Sequence, residues 1–176
     1  ILLRQNDAKP EDLRGCIVGF TPRTTSHTFL VQFLKRYGIE KRDITLKPIT
    51  PQAMPNAFIR GECDAASVWQ PHCNHAILAA KELDIPYTHI PNDGFYKSEA
   101  TIAASKSFLV KNRGLVSKFI KGLERAERYM SENISESQQI LAGAMKISRA
   151  DMNIIAHQYH PKLQPIDSEY LRILIS

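Results

Sequence analysis

Apolar residues in the first half of the chain come in short β-rich runs separated by stretches of helical spacing. CIVGF, from Cys16 to Phe20, is apolar and bounded by turn signals, which predicts a buried strand. Ser26 opens a predicted helix with Phe29, Leu30, Phe33, Leu34 and Tyr37 on one face, and Gly38 is a suitable residue just past its end. ITLKPI, Ile44 to Ile49, alternates as a strand. Thr50 before Pro51 reads as an N-cap with proline at the first helical position, and this helix runs toward Arg60 with Pro55 distorting its start. Gly61 stops it. DAASVW, Asp64 to Trp69, predicts the next buried strand, Pro71 starts a helix ending near Leu83, and Tyr87 to Ile90 is a strand again. Ile1 to Arg4 reads as a short strand and Pro10 to Leu13 as one helical turn. Alternation of strand and helix implies a mostly parallel sheet with helices on its faces.

After the loop at Pro91, Asn92, Asp93 and Gly94 the pattern changes. EATIAAS, Glu99 to Ser105, predicts one more strand, and from Ser107 onward everything reads as helix. Ser135 with Gln138, and Ser148 with Asp151, resemble capping boxes. The expected organisation is an α/β unit followed by a helical part, joined by two strand-like crossings, Ile1–Gln5 and Glu99–Ser105.

Composition changes this picture little. In 176 residues, 43% hydrophobic and 23% charged are ordinary values for a chain that buries a core. The formal net charge of +5 is spread singly, often beside acids, which argues against a nucleic-acid partner and favours an anionic ligand. No apolar run is long enough to cross a bilayer. The chain starts at Ile1 without Met or a signal pattern, and so reads as a processed or excised piece. Cys16, Cys63 and Cys73 are an odd set. Cys63 and Cys73 could pair if oxidised, but buried free thiols are the preferred reading.

The strongest local signal is TPRTTSH, Thr21 to His27. A strand ends at Phe20 and a helix starts near Ser26, and such a junction offers free backbone N–H groups and the positive end of a helix dipole to an anion. Thr24, Thr25 and Ser26 would add hydroxyl donors, unless Thr25 or Ser26 serves only as the N-cap. Arg23 is the one cation of the turn, suited to a forked pair with a sulfonate, carboxylate or phosphate, or else solvated. His27 would donate to a ligand oxygen or merely cap the first turn. His72, Cys73 and His75 have helix-compatible spacing for a metal but lack a second ligand cluster, so no metal and no cofactor is expected. The sequence has no GxGxxG, GxxxxGK[ST] or G-x-S-x-G motif.

EDLRGCIVGF, TPRTTSHTFLVQFLKRYGI and ITPQAMPNAFIRGECDAASVWQPH, taken together, resemble the solute-binding proteins of ABC transporters for sulfonates, taurine, nitrate and thiamine-pyrimidine precursors. That family carries "D-L-K-G-K-x-V-G" ahead of a Ser/Thr-rich turn and a helix, then "A-F-x-x-G-x-V-D-A-x-x-x-W-x-P". Here the latter is matched by Ala57, Phe58, Gly61, Asp64, Ala65, Trp69 and Pro71. The segment from Phe108 through Asn112 is similar to the family's "F-L-x-K-N-P". Departures are Gln70 where many members have an acid, Arg23 where small residues are usual, and Cys16 in place of a common Lys.

The resemblance implies a type II periplasmic-binding fold. Residues 6–98 would form its second α/β lobe. Residues 1–5 and 99–176 would supply hinge strands and the C-terminal part of the first lobe, whose N-terminal half is not in this chain. It also implies a solute-binding component of an uptake transporter, periplasmic or anchored outside the cytoplasm. Two lobes would close by hinge motion over a small anionic or polar solute, for delivery to a membrane permease and with no bond made or broken. Trp69 would then wall the cleft and Gln70 would hydrogen-bond the solute, while Asp64, at the other end of the same strand, would be structural. The same fold also serves as an extracytoplasmic sensing domain. A desulfinase is built on it as well, for which Cys16 would be the nucleophile, although a buried strand with no adjacent base disfavours that.

Overall fold

The computed structural model describes residues 1–98 and 100–158, which divide between two compact units, Ile1–Ser98 and Glu99–Ser176. The first unit holds five strands: β1 (Leu2–Leu3), β2 (Ile17–Phe20), β3 (Thr45–Pro48), β4 (Ala65–Ala66) and β5 (Thr88–His89). Their order in the sheet is β3-β2-β4-β1-β5. β2 pairs in parallel with both β3 and β4, and β1 pairs antiparallel with β4 and β5. Four strands therefore run one way and β1 alone runs against them. Leu2 and Leu3, expected as a short strand, form an inner strand of this sheet.

Period-two alternation divides the core into two layers. Leu3, Val18, Phe20 and Ala65 pack beneath α1 (Thr25–Arg36), with Leu30, Phe33 and Leu34 buried against them. Phe33 is fully buried, 4.7 Å from the Tyr37 ring and 6.1 Å from Phe95, and Phe29 stacks on Phe95 at 5.4 Å. The Arg36 guanidinium lies over the Phe95 ring, 5.4 Å from its centroid. Leu2 and Ala66, neighbours of Leu3 and Ala65 along their strands, join the opposite layer. There they meet Met54 and Phe58 of α2 (Met54–Ile59) and Cys73, Ala76 and Ala80 of α3 (His72–Glu82). Helices thus cover both faces of the sheet.

Several predicted boundaries shift. The helix expected from Thr50 begins at Met54, because residues 51–53 form a turn in which the Ala53 and Met54 amides both donate to the Thr50 carbonyl. Pro55 then has no N–H to contribute to the first turn. The strand expected from Asp64 to Trp69 contains only Ala65 and Ala66. Residues 100–105, within the stretch expected as a strand, are exposed and have no ladder partner among the described residues.

In the second unit the helical reading holds through α4 (Lys106–Lys111), α5 (Arg113–Glu132), α6 (Ile134–Met145) and α7 (Arg149–Gln158). Its continuation lies outside the described residues. Ser148 accepts from the Asp151 amide at 3.0 Å, as a cap should. Ser135 does not cap α6, whose N-cap is Asn133. No described helix is long and apolar enough to cross a membrane.

All three thiols are free, with Cys63 and Cys73 buried. Burial pushes the Cys63 thiol from its ordinary 9.0 up to about 11. An unfolded chain releases that proton near pH 9 while the folded chain holds it. The group therefore leaves stability unchanged below pH 9 and lowers it as pH rises toward 11. Denaturation measured across that range should show declining stability, and Cys63→Ala should make the decline shallower.

Candidate functional site

β2 and β4 lie side by side and point the same way, but the chain leaves them toward opposite faces. β2 continues into α1 on one layer, and β4 into α3 on the other. Two neighbouring parallel strands whose following helices diverge in this way form a topological switch point, and ligands bind in the crevice beyond the carboxyl ends of such strands. The two segments at this crevice are Thr21–Thr24 with the start of α1, and Ser67–Pro71.

The turn is built by local bonds. Thr21 donates its hydroxyl to the Ile49 carbonyl at 2.9 Å, and Thr24 donates its own to the Thr21 carbonyl at 2.7 Å. Arg23 is exposed and sits at φ +59°, a left-handed conformation unusual for a side chain of its size. Its amide donates to His27 Nδ1 over a long 3.5 Å, which leaves Nε2 as the ring nitrogen open to a solute. The imidazole packs on Phe20, 4.9 Å between centroids.

Thr24, not Ser26 or Thr25, is the N-cap residue of α1, in extended conformation, and its carbonyl accepts from the His27 and Thr28 amides at 3.1 and 3.2 Å. The helix start leaves the Thr25 and Ser26 amides without intrahelical acceptors. With Arg23 beside them they form a cationic, donor-rich corner.

The three hydroxyls expected to add donors divide. Thr25 is exposed, whereas the Thr24 hydroxyl is spent on the turn. Ser26 is buried and donates to the Ser67 carbonyl at 2.8 Å, while Ser67, also buried, donates back to the Ser26 carbonyl at 2.9 Å. Ser67 escaped the sequence reading. A lone serine inside an apolar run carries no mark of such a partnership 41 residues away.

Trp69 lies three residues beyond the end of β4, not at its last position as expected, and is 38% exposed, so it is not a core tryptophan under α3. Its ring meets His72 edge-on at 6.3 Å. The Gln70 side chain accepts from the Asn74 amide at 3.0 Å, so its carbonyl oxygen caps the start of α3 and its amide NH₂ is the end that can donate. The structure thus joins the two segments through Ser26 and Ser67, and places Trp69 and Gln70 on the second of them.

Asp64 is structural: its carboxylate accepts from the Ile17 amide at 2.7 Å at the amino end of β2. Cys16 stands before β2, half-buried, not inside the strand as expected. Its thiol donates to the Asp12 carbonyl at 3.2 Å, and burial, with Asp64 and Asp12 nearby, raises its pKa away from the thiolate a nucleophile needs. Among the described residues no group of three His, Cys, Asp or Glu side chains is placed to hold a metal.

The fold is shared with solved periplasmic binding proteins. The chain aligns over 98% of its length with the periplasmic aliphatic sulphonate binding protein SsuA of Escherichia coli (TM-score 0.73, 20% identity, 60% of that chain). It aligns equally with the alkanesulfonate-binding protein SsuA of Xanthomonas axonopodis pv. citri bound to MOPS (TM-score 0.74, 21% identity, 59% of that chain).

A family model described as NMT1/THI5 like matches residues 2–137, and the chain belongs to that family. Among curated relatives, a putative aliphatic sulfonates-binding protein of E. coli strain K12 is 22% identical over 161 residues, 90% of this chain and 49% of the relative. The taurine-binding periplasmic protein of the same strain is 32% identical over 74 residues, 42% of this chain and 23% of the relative. A putative binding protein of Brucella abortus is 24% identical over 151 residues, covering 80% and 44%. The chain thus spans about half the length of the first of these relatives.

Proposed function

We propose that this chain is part of an extracytoplasmic solute-binding protein that serves an ABC permease. The solute is a small organic anion, of which an alkanesulfonate is the leading candidate. The observation that carries this reading is the switch point. It sets the α1 amino end, with its Thr25 and Ser26 amides and Arg23, beside the loop that holds an exposed Trp69. An anionic head would take hydrogen bonds from the two amides, from the exposed Thr25 hydroxyl and from His27 Nε2, and charge from Arg23. Trp69 would cover the apolar part of the solute, with the Gln70 amide NH₂ as a further donor. Relatives named for aliphatic sulfonates and taurine support the choice of head group.

Calorimetric titration with ethanesulfonate, taurine and nitrate tests this. Saturable binding of at least one sulfonate is expected, with a rise in melting temperature and a change in Trp69 fluorescence. Arg23→Gln should weaken that binding by roughly tenfold, as expected for loss of one charge-assisted pair. If none of these anions produces heat, a melting shift or a fluorescence change, the reading is wrong.

A further inference from the structure

We infer that Ser26 and Ser67 are positioning residues, forming a two-bond clamp that makes the start of α1 and the loop bearing Trp69 move as one body. The inference rests on the solute site proposed above, and adds to it a mechanical link between its two sides. The geometry is reciprocal. Ser26 Oγ donates to the Ser67 carbonyl at 2.8 Å, and Ser67 Oγ donates to the Ser26 carbonyl at 2.9 Å. The residues are 5% and 1% exposed, so water does not compete for either bond.

Each end of the clamp is anchored further. The Ser67 amide donates to the Gly19 carbonyl of β2 at 2.8 Å, and the Thr21 amide reaches Ser26 Oγ at 3.4 Å. Ser26 is the second residue of α1, next to Thr25 with its free amide. Ser67 is two residues before Trp69. Neither hydroxyl faces solvent to bind a solute itself, so their effect on binding would pass through the residues they hold.

The clamp explains two local departures from the sequence pattern. β4 stops after Ala66: the Ser67 amide still reaches the Gly19 carbonyl of β2, but the Ser67 carbonyl accepts from Ser26 of α1. A serine inside the first turn of α1, where a second cap would be redundant, is used for a tertiary bond.

Hydrogen–deuterium exchange on the full chain, combined with ethanesulfonate calorimetry, tests this. Ser26→Ala and Ser67→Ala should each accelerate exchange by roughly tenfold in both residues 24–28 and residues 67–73. Exchange in β3 and α2 should be unchanged, and ethanesulfonate should bind several-fold more weakly. Ser67→Thr, which keeps the hydroxyl, should restore affinity. Faster exchange confined to the mutated segment overturns the clamp, whatever the wild-type chain binds. Spread of exchange with unaltered ethanesulfonate affinity overturns the positioning role. If the wild-type chain binds no ethanesulfonate while exchange still spreads to both segments, the solute reading fails and the coupling of the two loops stands.

Discussion

Phe33→Ala lowers the stability of the first unit by about 3–5 kcal/mol, the range for removing a fully buried aromatic ring. Phe33 is inaccessible to solvent, at the centre of an aromatic group that includes Phe29, Tyr37 and Phe95. It holds α1 on the sheet together with Leu30 and Leu34. Its removal costs the transfer free energy of the ring and leaves a cavity that a sheet on one side and Phe95 on the other cannot close. For a unit of this size each kcal/mol is worth about 4–8 °C, so a fall in melting temperature of about 12 °C or more is expected by calorimetry. A fall of only a few degrees would mean that the aromatic layer repacks freely. In that case the α1 start would not be a fixed platform.

Gly19→Ala is expected to cost about 1–3 kcal/mol, the range for overpacking a tight core. A Cβ at Gly19 would stand 2.8 Å from Met54 Sδ, 3.0 Å from Ile49 Cδ1 and 3.1 Å from Cys63 Sγ. Those side chains must shift, and Met54 and Cys63 are fully buried with little room to do so. Gly19 also accepts the Ser67 amide, so a displaced β2 carries the site with it. Because Met54 Sδ is the nearest obstruction, the cost should shrink when Met54→Ala is already present. A double-mutant cycle by chemical denaturation measures this. Additive costs would show that the β2–α2 contact is looser than the distances imply.

The fold was largely legible in the sequence wherever local pattern and tertiary need agree. The face of α1 read from Phe29, Leu30, Phe33, Leu34 and Tyr37 is the face that packs, since amphipathic spacing is dictated by one-sided burial. Helices on the faces of the sheet were legible from the alternation, but not which strand residue faces which layer. Leu2–Leu3 and Ala65–Ala66 are too short to show alternation, and β1 owes its place in the sheet to pairing with β4 and β5. Residues 100–105 have strand-like composition but no ladder partner among the described residues, and composition alone does not make a ladder.

At the site, the helix start was legible because a strand end, a Ser/Thr run and an apolar periodicity meet within a few residues. Which hydroxyl faces out was not. That depends on Ser67, Ile49 and Thr21 as acceptors, two of them distant in sequence. The switch point follows from strand order, which no local motif encodes.

An organic anion bound at the α1 start beside Trp69 would be seen by titrating the ¹⁵N-labelled chain with ethanesulfonate and following amide chemical shifts by NMR. Saturable shifts are expected at Arg23, Thr25, Ser26 and His27 and at the Trp69 indole N–H, with one common dissociation constant. Shifts centred elsewhere, or none at these positions under saturating ethanesulfonate, would contradict that placement of the anion.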